Sequence, residues 1–227
     1  MRLAHLVLIA ALPLALVAQE RRVPADELPP SAVKQLSASL AAASVHRHHL
    51  WRDTAPVNVD GTINAYIEIP RGERRKFEFD MHANARAIDR VMPEHIGGYP
   101  VNYGFVPQTV SYDGDPFDVL VLGPPLPGGR IAPGIVIGLM FMEDEKGLDA
   151  KVVLSPVDGD GRAPYQLTAG DRDTIGGYFR IYKQWEPGKF SRVPGWGAAA
   201  DGHAHISMTH AFFRTCQMPD RPCRVAR

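Results

Sequence analysis

Cysteine is scarce in this chain and net charge is absent. Of 227 residues only two are cysteine, and 25 basic side chains balance 25 acidic ones. Two thiols are too few for a structural zinc site, and no histidine falls at zinc spacing beside them. A balanced chain carries no overall field toward nucleic acid or a membrane surface. There is no internal repeat and no low-complexity tract. Neither of two Asp-Gly clusters has the glycine and closing glutamate of an EF-hand loop. What the length supports is one ordinary domain with appendages, and 45% hydrophobic residues suffice for its core.

The long apolar run stands at the start. Met1-Arg2 is a short basic opening, residues 3–17 are almost wholly apolar, and Ala18-Gln19 forms a cleavage junction. That layout predicts a secretory signal peptide over residues 1–18, with an uncleaved anchor as the alternative. Leu16 is bulky for its place two residues before the junction, which leaves the cut site open. Export implies a periplasmic or secreted protein with no stable membrane insertion after cleavage. In that oxidising setting Cys216 and Cys223 are expected to close a small loop in a C-terminal tail, residues 216–227. Residues 19–60 read as an N-terminal extension. Within it Val33, Leu36, Leu40 and Ala43 fall at helical spacing. His46, His48 and His49 follow on what reads as a solvated linker, incidental rather than metal-binding.

From Thr62 the pattern turns to period two. Ile63, Ala65, Ile67 and Ile69 share one face, and Asn64, Tyr66 and Glu68 the other. Further short strands are predicted around Phe77 and Phe79 and over residues 99–106, 119–122, 135–142 and 149–154, divided by Gly, Pro and Asp turns. Asp158-Gly159-Asp160-Gly161 reads as a hairpin turn. Helical spacing returns over residues 171–185 and 198–214. Strands first and helices afterwards is an α+β order. The expected architecture is a small closed, OB-like five-stranded β-barrel with two flanking helices, spanning residues 61–215.

Chemistry concentrates in Asp113-Gly114-Asp115-Pro116-Phe117-Asp118, which leads straight into the apolar run Val119 to Leu122. Three carboxylates so close repel one another unless a cation neutralises them, and a hard divalent ion with oxygen ligands suits that need. Glu68, Lys76, Glu78, Arg90, Asp144, Asp149, Lys151 and Lys183 recur on what should be one side of the strands. For any single member a solvated face is the plain explanation. Together the acids are suited to metal ions, whereas Lys76, Arg90, Lys183 and the phenols of Tyr103 and Tyr182 are suited to phosphate oxygens.

On these motifs, from about Asn64 to Phe213, the chain resembles the family I soluble inorganic pyrophosphatases. Supporting the Asp113–Val119 signature, in the family's order, are Tyr66-Ile67-Glu68-Ile69-Pro70, Lys76-Phe77-Glu78, Asp89-Arg90, Tyr99 through Phe105, Asp144-Glu145, Asp149-Ala150-Lys151 and Tyr182-Lys183. The resemblance implies hydrolysis of pyrophosphate to two orthophosphates with several Mg²⁺ ions, Mn²⁺ or Zn²⁺ being alternatives. It assigns Asp113, Asp118, Asp144 and Asp149 to metal and makes Asp115 the general base. Lys76, Arg90, Tyr103, Tyr182 and Lys183 would hold substrate, inside a supporting shell of Glu68, Glu78, Tyr99 and Lys151. It also implies a homo-oligomer, although Ile181 stands where bacterial members often carry a histidine that helps assemble the hexamer. Phe77 replaces a tyrosine common in the family. Competing readings are an exported Ca²⁺-binding β-module and a catalytically impaired relative.

Overall fold

The computed structural model describes residues 28–216; the expected signal peptide and Cys223, and with it the link to Cys216, lie outside the described residues. Among the described residues helices α1 (Pro30–Ser44) and α2 (Leu50–Asp53) come first. Strands β1 (Ile63–Ile69), β2 (Arg75–Asp80), β3 (Ala85–Val91), β4 (Asn102–Val106), β5 (Phe117–Val121), β6 (Arg130–Asp144), β7 (Gly147–Leu148) and β8 (Lys151–Pro156) follow. Helix α3 (Ala169–Ile181), strand β9 (Ser191–Gly197) and helix α4 (Ala199–Cys216) complete the order. No helix among the described residues is long and apolar enough to cross a membrane.

Five strands close on themselves as β1-β4-β5-β8-β6, because β6 also pairs with β1. Only β5 and β8 run parallel within this ring. Closure leaves no free edge in the ring, which is the expected OB-like barrel of an α+β fold. β7 and β9 extend the far end of β6, and β2 with β3 forms a separate hairpin. Gly104 permits the tight β1–β4 crossing: a Cβ there would fall 1.7 Å from the Tyr66 carbonyl oxygen.

Alternation along β1 holds, but its polar face is covered rather than solvated. Ile63, Ala65 and Ile67 join Val119, Val121, Val152, Leu154 and Ile206 of α4. Tyr66 on the other face packs with Leu28, Leu36, Trp51, Phe105 and Phe213. Leu120, Val153 and Met140 meet Ile175 and Phe179 of α3 in a third cluster. Leu28 to Trp51 of the N-terminal extension are thus woven into the core instead of hanging from it. Trp51 is fully buried, and its indole N–H donates to the Thr109 carbonyl at 3.0 Å. Trp51→Ala is expected to cost about 3–5 kcal/mol of stability, read as a lower urea midpoint at unchanged slope.

Several local expectations are corrected. His49 is not on a solvated linker: it is buried and N-caps α2. Its Nδ1 accepts from the Arg52 backbone N–H, so Nε2 carries the proton and donates to the Met81 carbonyl at 3.0 Å. Asn84, in the left-handed region at φ 53°, turns β2 into β3. It accepts from the Leu50 N–H at 2.9 Å and donates to the His48 carbonyl. The extension therefore grips the tip of the hairpin. Helix α3 begins at a capping box of Thr168 and Asp171 and ends at Ile181, leaving Tyr182 and Lys183 just past it. The Asp158 cluster is a tight turn after β8, closed by Asp158 Oδ1 accepting from the Asp160 and Arg162 N–H groups; it joins no hairpin. β9 was not foreseen, because Pro194 inside the run argues against a strand.

Candidate active site

Beside the barrel lies a cavity of about 300 Å³. It is lined by Glu68, Lys76, Glu78, Arg90, Tyr99, Tyr103, Asp113, Asp115, Asp118, Asp144, Asp149, Tyr182 and Lys183. Lys151 lies against it, bonded to two of these acids. Each expected site residue within the barrel domain is thus at or against one cavity. Parallel pairing of β5 with β8 sets Val119 opposite Val152, which brings Asp118 and Lys151 together from 33 residues apart. The hairpin sets Lys76 opposite Arg90 in the same way.

The acidic loop is a compact turn. Gly114 takes φ +90°, the Gly114 N–H donates to the Ser111 carbonyl, and the Asp115 N–H donates to Asp113 Oδ1 at 3.1 Å. Burial and the neighbouring Asp113 charge push the Asp115 carboxyl up to about 7, with Lys146 partly opposing. Lys146 reaches Asp113 and Asp115 at 3.4 Å each. Lys151 is enclosed and donates to Asp118 at 2.5 Å and to Asp149 at 2.9 Å. Burial opposes the charge of Lys151, but the two carboxylates outweigh it and hold the ammonium above its usual range. One cation facing two anions leaves the pair over-acidic. Accordingly Asp149 is pushed up to about 7, by burial first and by the charges of Asp118 and Asp113. Lys183 pairs with Asp144.

Among the described residues no three carboxylate, imidazole or thiol groups converge on one point as a ready-made ion site. The reason is visible in the pairing: Lys146, Lys151 and Lys183 supply the positive charge between the acids. The donor set, oxygen throughout and in excess at Asp115 and Asp149, nevertheless fits a hard divalent cation.

The remaining groups suit an anion. Burial is the main cause that keeps the Tyr103 and Tyr182 phenols protonated, well above their usual range, so each has a proton to offer an anion. Lys76 pairs with Glu78 and lies 3.4 Å from Asp89. Arg90 pairs with Glu186, and its Nε lies 2.9 Å from Asp89 Oδ2. Glu68 accepts from the Phe79 N–H at 2.7 Å; burial, then the Asp118 charge, drives its carboxyl well above the ordinary range. Phe77 stacks under the Arg86 guanidinium at 4.1 Å. Sequence reasoning missed Gln35, Ser39, Glu145, Lys146, Glu186 and Lys189, all of which line the cavity. Glu145-Lys146 directly follows Asp144 and carried a usable signal; Gln35 and Ser39 gave none, because they sit on a helix read as an appendage.

A model of the family described as inorganic pyrophosphatase matches residues 65–214. An inorganic pyrophosphatase of Sulfolobus acidocaldarius is 35% identical over 162 residues, 66% of this chain and 91% of the relative. The crystal structure of an inorganic pyrophosphatase from Neisseria gonorrhoeae superposes with a TM-score of 0.67 at 32% identity, covering 73% of this chain and 99% of that one. The inorganic pyrophosphatase structure from Thermus thermophilus gives 0.67 at 33% identity, over 74% and 99%.

Proposed function

We infer the reaction from kinship joined to the cavity's chemistry: the chain belongs to the family I inorganic pyrophosphatases, and it hydrolyses inorganic pyrophosphate to two orthophosphates. The observation that carries this is the meeting of clustered aspartates with Lys76, Arg90, Tyr103, Tyr182 and Lys183 in one cavity. An exported Ca²⁺-binding β-module has no use for that second set.

We propose that the reaction depends on Mg²⁺, held by Asp113, Asp118, Asp144 and Asp149, with Mn²⁺ or Zn²⁺ as alternatives. When bound, such ions neutralise phosphate oxygens and lower the pKa of water toward neutrality. The chain's own groups do the rest. Lys76, Arg90 and Lys183, with the two phenols, hold the six non-bridging oxygens of the substrate and fix its axis for in-line attack. Asp115 accepts a proton from the water whose oxygen attacks phosphorus. The new P–O bond forms as the bridging P–O bond breaks, and the basic groups stabilise charge on the departing phosphate. Glu68, Glu78, Tyr99 and Lys151 support these residues. The decisive experiment is phosphate release from pyrophosphate by the purified chain with Mg²⁺, then with Ca²⁺. Turnover with Mg²⁺ is expected; none with Mg²⁺, Mn²⁺ or Zn²⁺ would overturn the reading.

Metal and protons compete for the same carboxylates. Asp115 and Asp149, each raised to about 7, keep their protons in the folded, metal-free chain while the unfolded chain loses them near the ordinary value of 3.8. Their contribution to stability therefore falls as pH rises from about 4 through about 7. A divalent ion relieves that loss only where they are ionised. The rise in melting temperature caused by Mg²⁺ is expected to be larger at about pH 8 than at about pH 5, by on the order of 5 °C. An equal rise at both would contradict ligation by these acids.

We further propose that the protein is exported, on the strength of the basic start and apolar run ahead of Ala18-Gln19. The mature chain would begin near Gln19 with Cys216 linked to Cys223, and intact-mass analysis of secreted protein before and after reduction tests both. A homo-oligomer is proposed as well; Ile181 is 40% exposed and available to an interface. Sedimentation of the mature chain checks it.

A further inference from the structure

Helix α1 lies ahead of the residues the family model matches, yet it touches the acidic loop. Gly114 marks the contact: a Cβ there would fall 2.5 Å from the Gln35 Cβ and 2.7 Å from the Ala32 carbonyl oxygen. Helix and loop are pressed together with no space for a side chain between them. The helix is fixed from behind, since Ala32, Leu36 and Ala43 are buried against Trp51, Tyr66 and Phe105. Gln35, one turn on from Ala32, is exposed and lines the cavity. Its amide Nε2 donates to Asp115 Oδ1 at 3.4 Å, while Lys146 Nζ meets Oδ2 at 3.4 Å. Each oxygen of that carboxylate has its own holder.

We propose that Gln35 is a positioning residue for Asp115, supplied by the N-terminal helix: its amide fixes the rotation of the carboxylate that takes the proton from water. The inference rests on the reading of Asp115 as base. A carboxylate free to turn about its last bond presents its accepting oxygen only part of the time, and small misplacements of a catalytic group are costly. Lys146 orients Asp115 too, but as a full charge it also draws on the basicity the reaction needs. A neutral amide orients the group while drawing on it less. Gln35 suits this task because its helix is immobilised by the core while its own side chain contributes nothing to that core.

The test uses the full chain with Mg²⁺ and follows kcat, KM and melting temperature. Gln35→Ala is expected to lower kcat about fivefold, with KM for pyrophosphate within about twofold and an unshifted melting temperature. Gln35→Glu keeps the shape but cannot donate and repels Asp115, so it should be worse, on the order of thirtyfold. If Gln35 merely packs, that order reverses, because the isosteric Glu would be tolerated. In an Asp115→Asn background, Gln35→Ala should add no further loss. Wild-type kcat in both single variants, a change confined to KM, or an additive loss in the double variant would overturn the proposal. No turnover by the wild-type chain would instead bring down the pyrophosphatase reading, and this inference with it.

Discussion

Asp115→Asn is expected to lower kcat for pyrophosphate by about 10²–10⁴-fold, with kcat/KM falling in parallel and Mg²⁺ binding largely kept. The asparagine has the same shape, retains an oxygen for Gln35, and leaves Asp113, Asp118, Asp144 and Asp149 in place. What it lacks is the ability to accept a proton. Wild-type Asp115 suits that task because burial and Asp113 raise its carboxyl to about 7, where it is basic enough to take a proton and about half ionised at neutral pH. Steady-state kinetics with calorimetric Mg²⁺ titration separates the two effects. A rate like that of the wild type removes Asp115 from the base role. A lost rate together with lost Mg²⁺ binding would make it a ligand instead.

Much of this site was legible because its residues announce themselves locally. Asp113 to Asp118 crowds like charges on a turn before an apolar run, and no ordinary surface loop gains by that. The alternation of β1 gave correct faces, since a strand's period fixes which side chains are neighbours. Illegible parts depend on contacts between distant segments. Nothing near Tyr66 says that α1 and Trp51 will pack with it, and nothing near Glu68 says that the Phe79 N–H will take up its carboxylate, so a solvated face was the natural expectation. His49 looked incidental among histidines until the β2–β3 tip supplied Met81 as its partner. Gln35 carries no catalytic signature at all; its meaning comes from Gly114, 79 residues away, having no side chain. The end of α3 was misplaced by four residues because Tyr182 faces the cavity as a helical residue might, although the chain has already turned toward Gly188 at φ 75°.

The aspartate–lysine pairs point to how charge is managed before substrate arrives, and Lys151 tests this most sharply. Its side chain is 1% exposed, with the ammonium held between Asp118 at 2.5 Å and Asp149 at 2.9 Å, beneath the rings of Tyr103 and Phe179. Lys151→Met fills nearly the same volume and keeps the ring contacts, but leaves two enclosed carboxylates facing each other. Removing one partner of a buried ion pair typically costs about 3–5 kcal/mol, and a loss of that size is expected for the metal-free chain at about pH 8. At about pH 5 the loss should shrink. Asp149 is raised to about 7 even with the lysine present and rises further without it, so protonation dissolves the repulsion there. Mg²⁺ should also restore part of the stability at the higher pH, since a divalent cation can take over the neutralising charge. Urea unfolding at both pH values, with and without Mg²⁺, reads all three effects. A penalty that ignores pH and metal alike would mean Lys151 matters only as packing, and the cavity's acids would then not be acting as one charge-coupled set.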